Sequence, residues 1–230
     1  MLNTPSKARP VPQLESGDRL NRDEFERRYQ ATPALKKAEL IEGVVYVPAA
    51  LRFQSHAQPH GNLVGWLWTY KVLTPHVELG DNPTVRLDGS NEPQPDAVLL
   101  IDELAGGQAA IGLDDYIEGA PELVVEVAAS SAAIDLHDKK QAYQRNRVQE
   151  YLVWQTFESK VLWFSWRETG YQRLPITDGI IKSQQFPGLW LSVPALIQND
   201  MATVLSVLQQ GLASPEQAEF VKQLQAAAQR

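Results

Sequence analysis

The feature that most constrains this chain is a single carboxylate inside an apolar run. Residues 123–127 read Leu-Val-Val-Glu-Val, and a short apolar run of this kind predicts a β-strand that is buried on both faces. Glu126 interrupts the run, and a carboxylate is costly to bury unless it is paired or binds a metal. We therefore expect Glu126 to have a cationic partner.

A helix that carries a lysine is predicted directly after this strand. Ser130 and Ser131 are suitable N-cap residues, and Asp135, Lys139 and Tyr143 recur at intervals of four, so they share one helix face. An ammonium group beside a phosphate can stabilise charge and help to orient or deprotonate an attacking water, which makes Lys139 a catalytic candidate. The alternative is a solvated helix lysine that pairs only with Asp135.

A second acid opens a second apolar run. Pro95-Asp96 precedes residues 97–101, which read Ala-Val-Leu-Leu-Ile and predict another buried strand. Mg²⁺ or Mn²⁺ held by two carboxylates can supply both the activated water and the charge neutralisation that phosphodiester hydrolysis needs. Either acid alone would be interpreted as structural, Asp96 as a turn residue and Glu126 as half of an ion pair. Together, on adjacent strands, they favour a metal site.

Glu39 and His60 are weaker candidates. Glu39 lies in a predicted hairpin strand and could point towards the same metal, and His60 begins a predicted helix that could face the same cleft. No role is assigned to His56, His76 or His137. A zinc site is not expected, because no histidine pair has ligand spacing with further partners.

Composition limits the possible functions only mildly. The formal net charge is −7 and the pI is about 5.2, which argues against a protein that coats nucleic acid but leaves open an enzyme with a local basic face. The absence of cysteine excludes disulfides and thiolate metal sites. No apolar run has the length of a membrane span and the first residues lack a signal peptide's apolar core, so a cytoplasmic protein is expected.

The predicted elements give an α/β protein in three parts. Residues 1–20 are predicted to be a disordered N-terminal arm, because they are rich in proline and polar residues. Residues 21–195 contain the predicted strands and the helices between them, with a long surface loop predicted over 102–120. Residues 196–230 are predicted to be a C-terminal helical extension.

Taken jointly and in order, these motifs resemble the Uma2-like restriction endonuclease family of the PD-(D/E)XK nuclease superfamily, a family abundant in cyanobacteria. The resemblance covers about residues 22–175. The matching residues are Glu39 to Gly43, His60, Pro95-Asp96, Val124 to Val127, Ser131, Asp135 to Lys139, Tyr143, and Glu150 to Val153.

The resemblance implies a restriction-endonuclease-like fold over 21–195, in which helices flank a mixed central β-sheet, and it implies a homodimer. It also implies that Asp96 and Glu126 are metal ligands, with the Val127 carbonyl as a third. The commoner superfamily motif has its lysine two residues after the acid, where this chain has Ala128. The resembled family takes its lysine from the following helix, which matches Lys139.

Glu39 and His60 also match family positions. One departure is that Ala129-Ser130-Ser131 stands where the family often has Ser-Pro-Ser.

The sequence therefore predicts a Mg²⁺- or Mn²⁺-dependent endonuclease with DNA as its substrate and Asp96, Glu126, Lys139, Glu39 and His60 at its site. An alternative from another class is a catalytically inactive nuclease-fold dimer that binds nucleic acid or protein. A two-carboxylate glycoside hydrolase is less favoured, because that chemistry leaves Lys139 without a role.

Overall fold

A six-stranded mixed β-sheet organises the part of the chain that the computed structural model describes, residues 11–48 and 50–230. The strands are β1 (Glu39–Ile41), β2 (Val44–Tyr46), β3 (Val77–Asp81), β4 (Val85–Arg86), β5 (Ala97–Ile101), β6 (Ala110–Ile111), β7 (Ile117–Glu118), β8 (Leu123–Ala128), β9 (Glu150–Gln155), β10 (Lys160–Ser165), β11 (Gln172–Arg173), β12 (Ile180–Lys182) and β13 (Trp190–Ser192).

The α-helices are α1 (Arg22–Gln30), α2 (Gln58–Val72), α3 (Ala132–Ile134), α4 (Lys140–Arg145), α5 (Val193–Ile197), α6 (Met201–Leu212) and α7 (Pro215–Ala227). Two five-residue π-helical segments, Phe53–Ala57 and Asp135–Lys139, precede α2 and α4, and a 3₁₀ turn covers Glu103–Ala105. The wider π turn is rare in proteins and is often found at functional sites.

The main sheet has the strand order β11-β10-β9-β8-β5-β3. Its central pair, β8 and β9, is parallel, and the segment from α3 to α4 makes the helical crossover that a parallel pair requires. Its other neighbouring strands pair antiparallel. This arrangement confirms the predicted α/β class with a mixed central sheet flanked by helices.

Strand β8 divides the core between the two faces of the sheet. Leu123, Val125 and Val127 belong to one buried cluster together with Trp66 of α2, while Val124 belongs to a second cluster on the opposite face. Side chains of a strand alternate between faces, so this split follows from the strand geometry. Glu126 therefore points to the same face as Val124, where Tyr143 of α4 is also buried.

The register of the sheet places the two predicted acids side by side. Ala97 of β5 pairs with Val125 of β8, so the next step along this antiparallel ladder sets Asp96 opposite Glu126. Directly opposed residues in such a pair have Cβ atoms about 4.5–5.5 Å apart. The strand pairing alone brings the two carboxylates to one location.

A tight hairpin carries Glu39 towards this location. β1 and β2 are joined by Glu42 and Gly43, both with positive φ, as a two-residue hairpin turn requires. Leu40 exchanges two backbone hydrogen bonds with Glu92, which ties the hairpin to the segment that leads into β5. The predicted hairpin is confirmed.

The predicted disordered arm is ordered in the part that the structure describes, residues 11–20. Residues 1–10 lie outside the described residues. In 11–20, Leu14 is buried, Gly17 donates its N–H to the Val45 carbonyl and Leu20 donates to Gly43. Backbone pairing with the hairpin orders this part despite its polar composition.

Two other regions differ from their sequence patterns. The predicted loop 102–120 contains the 3₁₀ turn and the β6–β7 hairpin, which pairs with β4. The predicted helical extension over 196–230 is not continuous, because Asn199 takes a positive φ and Asp200 caps a new helix, α6.

The C-terminal helices pack on the main core. Val204 and Leu208 of α6 and Leu224 of α7 belong to the same buried cluster as Trp66 of α2. Within 11–48 and 50–230, no helix is both long and apolar enough to cross a membrane.

Candidate active site

A buried lysine ammonium forms the centre of the candidate site. Lys139 Nζ lies 2.9 Å from Glu39 Oε1, 2.9 Å from Glu126 Oε1 and 3.6 Å from Asp135 Oδ1. All four side chains are buried. The Lys139 ammonium donates a hydrogen bond to Glu126 and forms ion pairs with Glu39 and Asp135, so three carboxylates surround one cation.

The helical crossover after β8 positions this lysine. The π-helical segment Asp135–Lys139 lies between α3 and α4, and Tyr143, one turn later, donates its hydroxyl to Glu126 Oε1 at 3.0 Å. The predicted common face of Asp135, Lys139 and Tyr143 is thus confirmed. Ser131 stands at the N-cap position, but its hydroxyl donates to Asp135 Oδ2 at 2.6 Å instead of capping the backbone.

Asp96 is held at the end of the ladder by two contacts to one oxygen. The Val127 N–H donates to Asp96 Oδ2 at 2.7 Å, and His56 Nε2 lies 3.3 Å from the same atom. The first contact crosses from β8 to the residue before β5. It fixes the carboxylate of Asp96 next to the strand that carries Glu126.

The two histidines near the site have different contacts from those that the sequence suggested. His60 Nε2 lies 2.9 Å from the backbone carbonyl oxygen of Asp96 and 2.9 Å from Asp81 Oδ1, so it supports the backbone of Asp96 and does not contact its carboxylate. His56, which was assigned no role, is the histidine beside that carboxylate. The two rings are 5.9 Å apart.

A sequence signal for His56 did exist. The His56–His60 spacing of four residues places both on one helix face, and the apolar stripe of α2 sets that face towards the sheet. The π-helical turn Phe53–Ala57, which carries His56, has no simple sequence signature. The structure thus adds His56 and Asp135 to the residues that converge here.

Glu39 joins the cluster from the hairpin. Its Oε1 accepts the backbone N–H of Gln94 at 2.7 Å and also contacts Lys139. Glu39, Asp96, Glu126 and Lys139 therefore lie together, while His60 lies behind Asp96.

The cluster holds more carboxyl groups than cations, and this excess shifts their pKa values. Burial raises the pKa of Glu126 to about 8; Lys139 opposes this shift, and the nearby charges of Asp135, Asp96 and Glu39 add to it. Burial also raises the pKa of Asp135. For Lys139, burial acts to lower the pKa, but the surrounding carboxylates raise it well above its usual value.

Asp96 has the opposite shift. Burial acts to raise its pKa, but the contact with His56, the charge of Lys37 and the Val127 N–H together lower it. Asp96 and Glu126 are thus adjacent carboxyls whose pKa values are driven apart.

The donor chemistry fits a hard divalent cation. Carboxylate oxygens are the ligands that Mg²⁺ prefers, and an excess of buried carboxylates is the charge that such an ion balances. Among the hydrogen bonds and ion pairs of the described residues, Asp96 uses only Oδ2 and Glu126 only Oε1. The second oxygen of each carboxylate is left for a ligand. In the same part of the chain, no group of three or more His, Asp or Glu side chains has an arrangement that could hold a metal by itself.

Comparisons with known proteins agree with this architecture. The model of the Uma2 family, described as "putative restriction endonuclease", matches residues 22–194. A crystal structure described as a "putative nuclease belonging to DUF820" from Anabaena variabilis is similar, with a TM-score of 0.57 and 14% sequence identity. The similarity covers 78% of this chain and 98% of that one, and at this identity it shows the fold alone. No curated protein matches the chain.

Proposed function

The chain belongs to the Uma2 family, and from that premise we propose that it is a metal-dependent endonuclease that hydrolyses DNA phosphodiester bonds. The observation that carries the proposal is the position of Asp96, one residue before β5, beside Glu126 of β8. Among the described residues, each carboxylate has one oxygen held by the protein and one without a hydrogen bond or ion pair.

The proposed metal ligands are Asp96, Glu126 and the backbone carbonyl of Val127. The donation of the Val127 N–H to Asp96 supports the inclusion of Val127, because it places this residue at the junction of the two acids. Mg²⁺ or Mn²⁺, when bound, would supply an activated water and neutralise charge on the phosphate.

The remaining residues have positioning roles in this proposal. Lys139 holds Glu126 and Glu39 by its ammonium, which keeps Glu126 Oε1 fixed and leaves Oε2 for the metal. His56 holds the carboxylate of Asp96, and His60 holds its backbone carbonyl. Such supporting contacts typically contribute 10–100-fold to metal affinity or activity.

An inactive nuclease-fold binding module is the second candidate, and one observation favours it. The Lys139 ammonium already neutralises part of the charge that a metal would balance, so the fold could be complete without an ion. In this alternative the protein binds nucleic acid or another protein as a homodimer without turnover.

Cleavage of supercoiled plasmid, with and without Mg²⁺ or Mn²⁺, tests the first proposal. Asp96→Asn preserves the size of the side chain and removes its charge, and we expect it to reduce cleavage by at least about 100-fold. Asp138→Asn is the matched control, because Asp138 lies on the same crossover but contacts Tyr46 outside the cluster. Equal cleavage by the wild type and Asp96→Asn would refute the assignment.

Calorimetric titration with Mn²⁺ separates the two candidates. The endonuclease proposal predicts Mn²⁺ binding by the wild type and its loss in Asp96→Asn. A folded wild type that binds no Mn²⁺ and cleaves no DNA would favour the binding module. Light scattering on the same samples tests the predicted homodimer.

A further inference from the structure

A second layer of polar residues lies outside the buried cluster, around the backbone of Asp96. The Asp96 carbonyl accepts the N–H of Asn82 at 3.1 Å and contacts His60 Nε2. His60 also contacts Asp81, whose Oδ1 accepts a hydrogen bond from Asn82 Nδ2 at 2.9 Å. Asp81 and Asn82 are exposed, so this network forms the mouth of the candidate site.

Lys37 supplies the cation of this mouth. Its Nζ lies 3.5 Å from Asn82 Oδ1, and the side chain is half-buried. Ala38 and Leu40, on either side of Glu39, are buried in the small hairpin core. Glu39 points the other way, into the carboxylate cluster, and the contact of Lys37 with Asn82 places it on this same side.

The inner lysine is not available for a substrate in this arrangement. Lys139 is buried, and three carboxylates surround its ammonium. Lys37, by contrast, contacts a neutral amide at 3.5 Å, which is a weak hydrogen bond, and reaches solvent. Among residues 11–48 and 50–230, Lys37 has no other side-chain hydrogen bond or ion pair. A flexible ammonium with spare donors at the entrance of a carboxylate-rich site is suited to a phosphate group.

We propose that Lys37 binds a backbone phosphate of the nucleic-acid substrate at the mouth of the site, next to Asp96. The proposal rests on the proposed function, because it takes the substrate to be a phosphodiester. Four carboxylates repel an approaching phosphate, and Lys37 offsets this repulsion where the substrate enters. A contact of this kind positions the backbone and carries no sequence information.

The test compares Lys37→Gln with Lys36→Gln. Lys36 is the adjacent lysine, it is exposed, and its described hydrogen bond uses only its backbone carbonyl, so its replacement removes the same charge one residue away. Binding of a fluorescent DNA duplex is measured by anisotropy between 50 and 200 mM salt, once in Ca²⁺ and once in EDTA. Thermal unfolding of each variant is measured in parallel.

For Lys37→Gln we expect binding to weaken about two- to fivefold, and the slope of log K against log salt to fall by about one. Lys36→Gln should keep the wild-type affinity and slope, and Lys37→Arg should restore both. If Lys37→Gln and Lys36→Gln bind alike, or the wild type binds no duplex under either condition, the proposal is wrong.

The outcomes separate this inference from the endonuclease proposal. A salt slope that falls only in Lys37→Gln, in a protein that cleaves nothing, would support the phosphate contact and reject the endonuclease. Cleavage that depends on Asp96, with a Lys37→Gln variant that binds as the wild type does, would support the endonuclease and reject the contact.

Discussion

Two buried cations in this protein each contact three carboxylates, and they differ in how exposed those carboxylates are. The partners are Glu39, Glu126 and Asp135 around Lys139, and Glu26, Asp114 and Glu118 around Arg86. The side chains around Lys139 are at most 8% exposed, whereas those of Asp114 and Glu118 are 52% and 41% exposed. Solvent therefore shares the charge in one cluster and is excluded from the other.

The pKa shifts follow this difference. The Arg86 hydrogen bond lowers the pKa of Asp114, as expected for an ion pair that stabilises the folded chain. Around Lys139, burial outweighs the ion pair and raises the pKa of Glu126 to about 8. A solvated cluster of this composition is structural, while a dry cluster with surplus carboxyls takes up a proton that a divalent ion can displace.

Removing the central cation of each cluster is the most direct test of the difference between the buried and the solvated cluster. Lys139→Met leaves buried carboxylates without their cation, and we expect it to lower the free energy of unfolding by about 3–5 kcal/mol at pH 7. Arg86→Met should cost less, because Asp114 and Glu118 can return to water. Urea denaturation measures both.

Lys140→Met serves as the control for Lys139→Met, since the Lys140 ammonium lies over the Phe164 ring, 4.1 Å from its centroid, outside the carboxylate cluster. The loss in Lys139→Met should be larger at pH 9 than at pH 6, because Glu126, whose pKa is about 8, is mostly charged only at the higher pH. Equal losses in Lys139→Met and Arg86→Met would contradict the distinction between a dry and a solvated cluster.

The sequence predicted the inner cluster better than its surroundings, for a physical reason. Glu126, Asp96 and Lys139 are placed by strand register and helix periodicity, which a local pattern encodes. The position of His56 depends on a π-helical turn, and the contact of Lys37 with Asn82 joins residues 45 positions apart. The spacing from His56 to His60 is a local sign of the first, but no local pattern indicates the π-helical turn or the Lys37–Asn82 contact, so the mouth of the site emerges only from the fold.

The order of residues 11–20 and of the loop 102–120 was underestimated from the sequence for a similar reason. Both segments gain order from backbone pairing with distant strands: residues 11–20 pair with the β1–β2 hairpin, and the β6–β7 hairpin pairs with β4. Composition reports the local tendency of a segment, and it does not report an available strand edge elsewhere in the chain.

Glu92 extends the comparison, because it is a buried carboxyl next to the solvated cluster around Arg86. Burial, together with the hydrogen bond and the charge of Glu26, raises its pKa from 4.5 to about 8. The folded state thus favours protonated Glu92, so its contribution to stability is full below about pH 4.5 and is lost as the pH rises towards 8. We expect Glu92→Gln to gain about 1–3 kcal/mol relative to the wild type between pH 5 and pH 9.

Urea denaturation at these two pH values measures this gain, and Glu103→Gln is the control, because Glu103 is an exposed glutamate in the 3₁₀ turn. The free energies of the wild type and Glu92→Gln should converge towards acid pH. A constant difference between them across this range would mean that Glu92 has the same pKa in the folded and unfolded chains.

The smallest expected effect comes from removing one tyrosine hydroxyl that donates to a buried carboxylate, compared with one that donates to a partly solvated carboxylate. Tyr143 donates to buried Glu126 at 3.0 Å, and Tyr46 donates to half-buried Asp138 at the same distance. Tyr143→Phe leaves Glu126 with one donor fewer in a dry site, so we expect a loss of about 1–2 kcal/mol, against less than about 0.5 kcal/mol for Tyr46→Phe. Thermal unfolding compares the two variants directly. If they cost the same, the exclusion of water from the inner cluster is weaker than its burial indicates, and the charge argument for a metal there weakens with it.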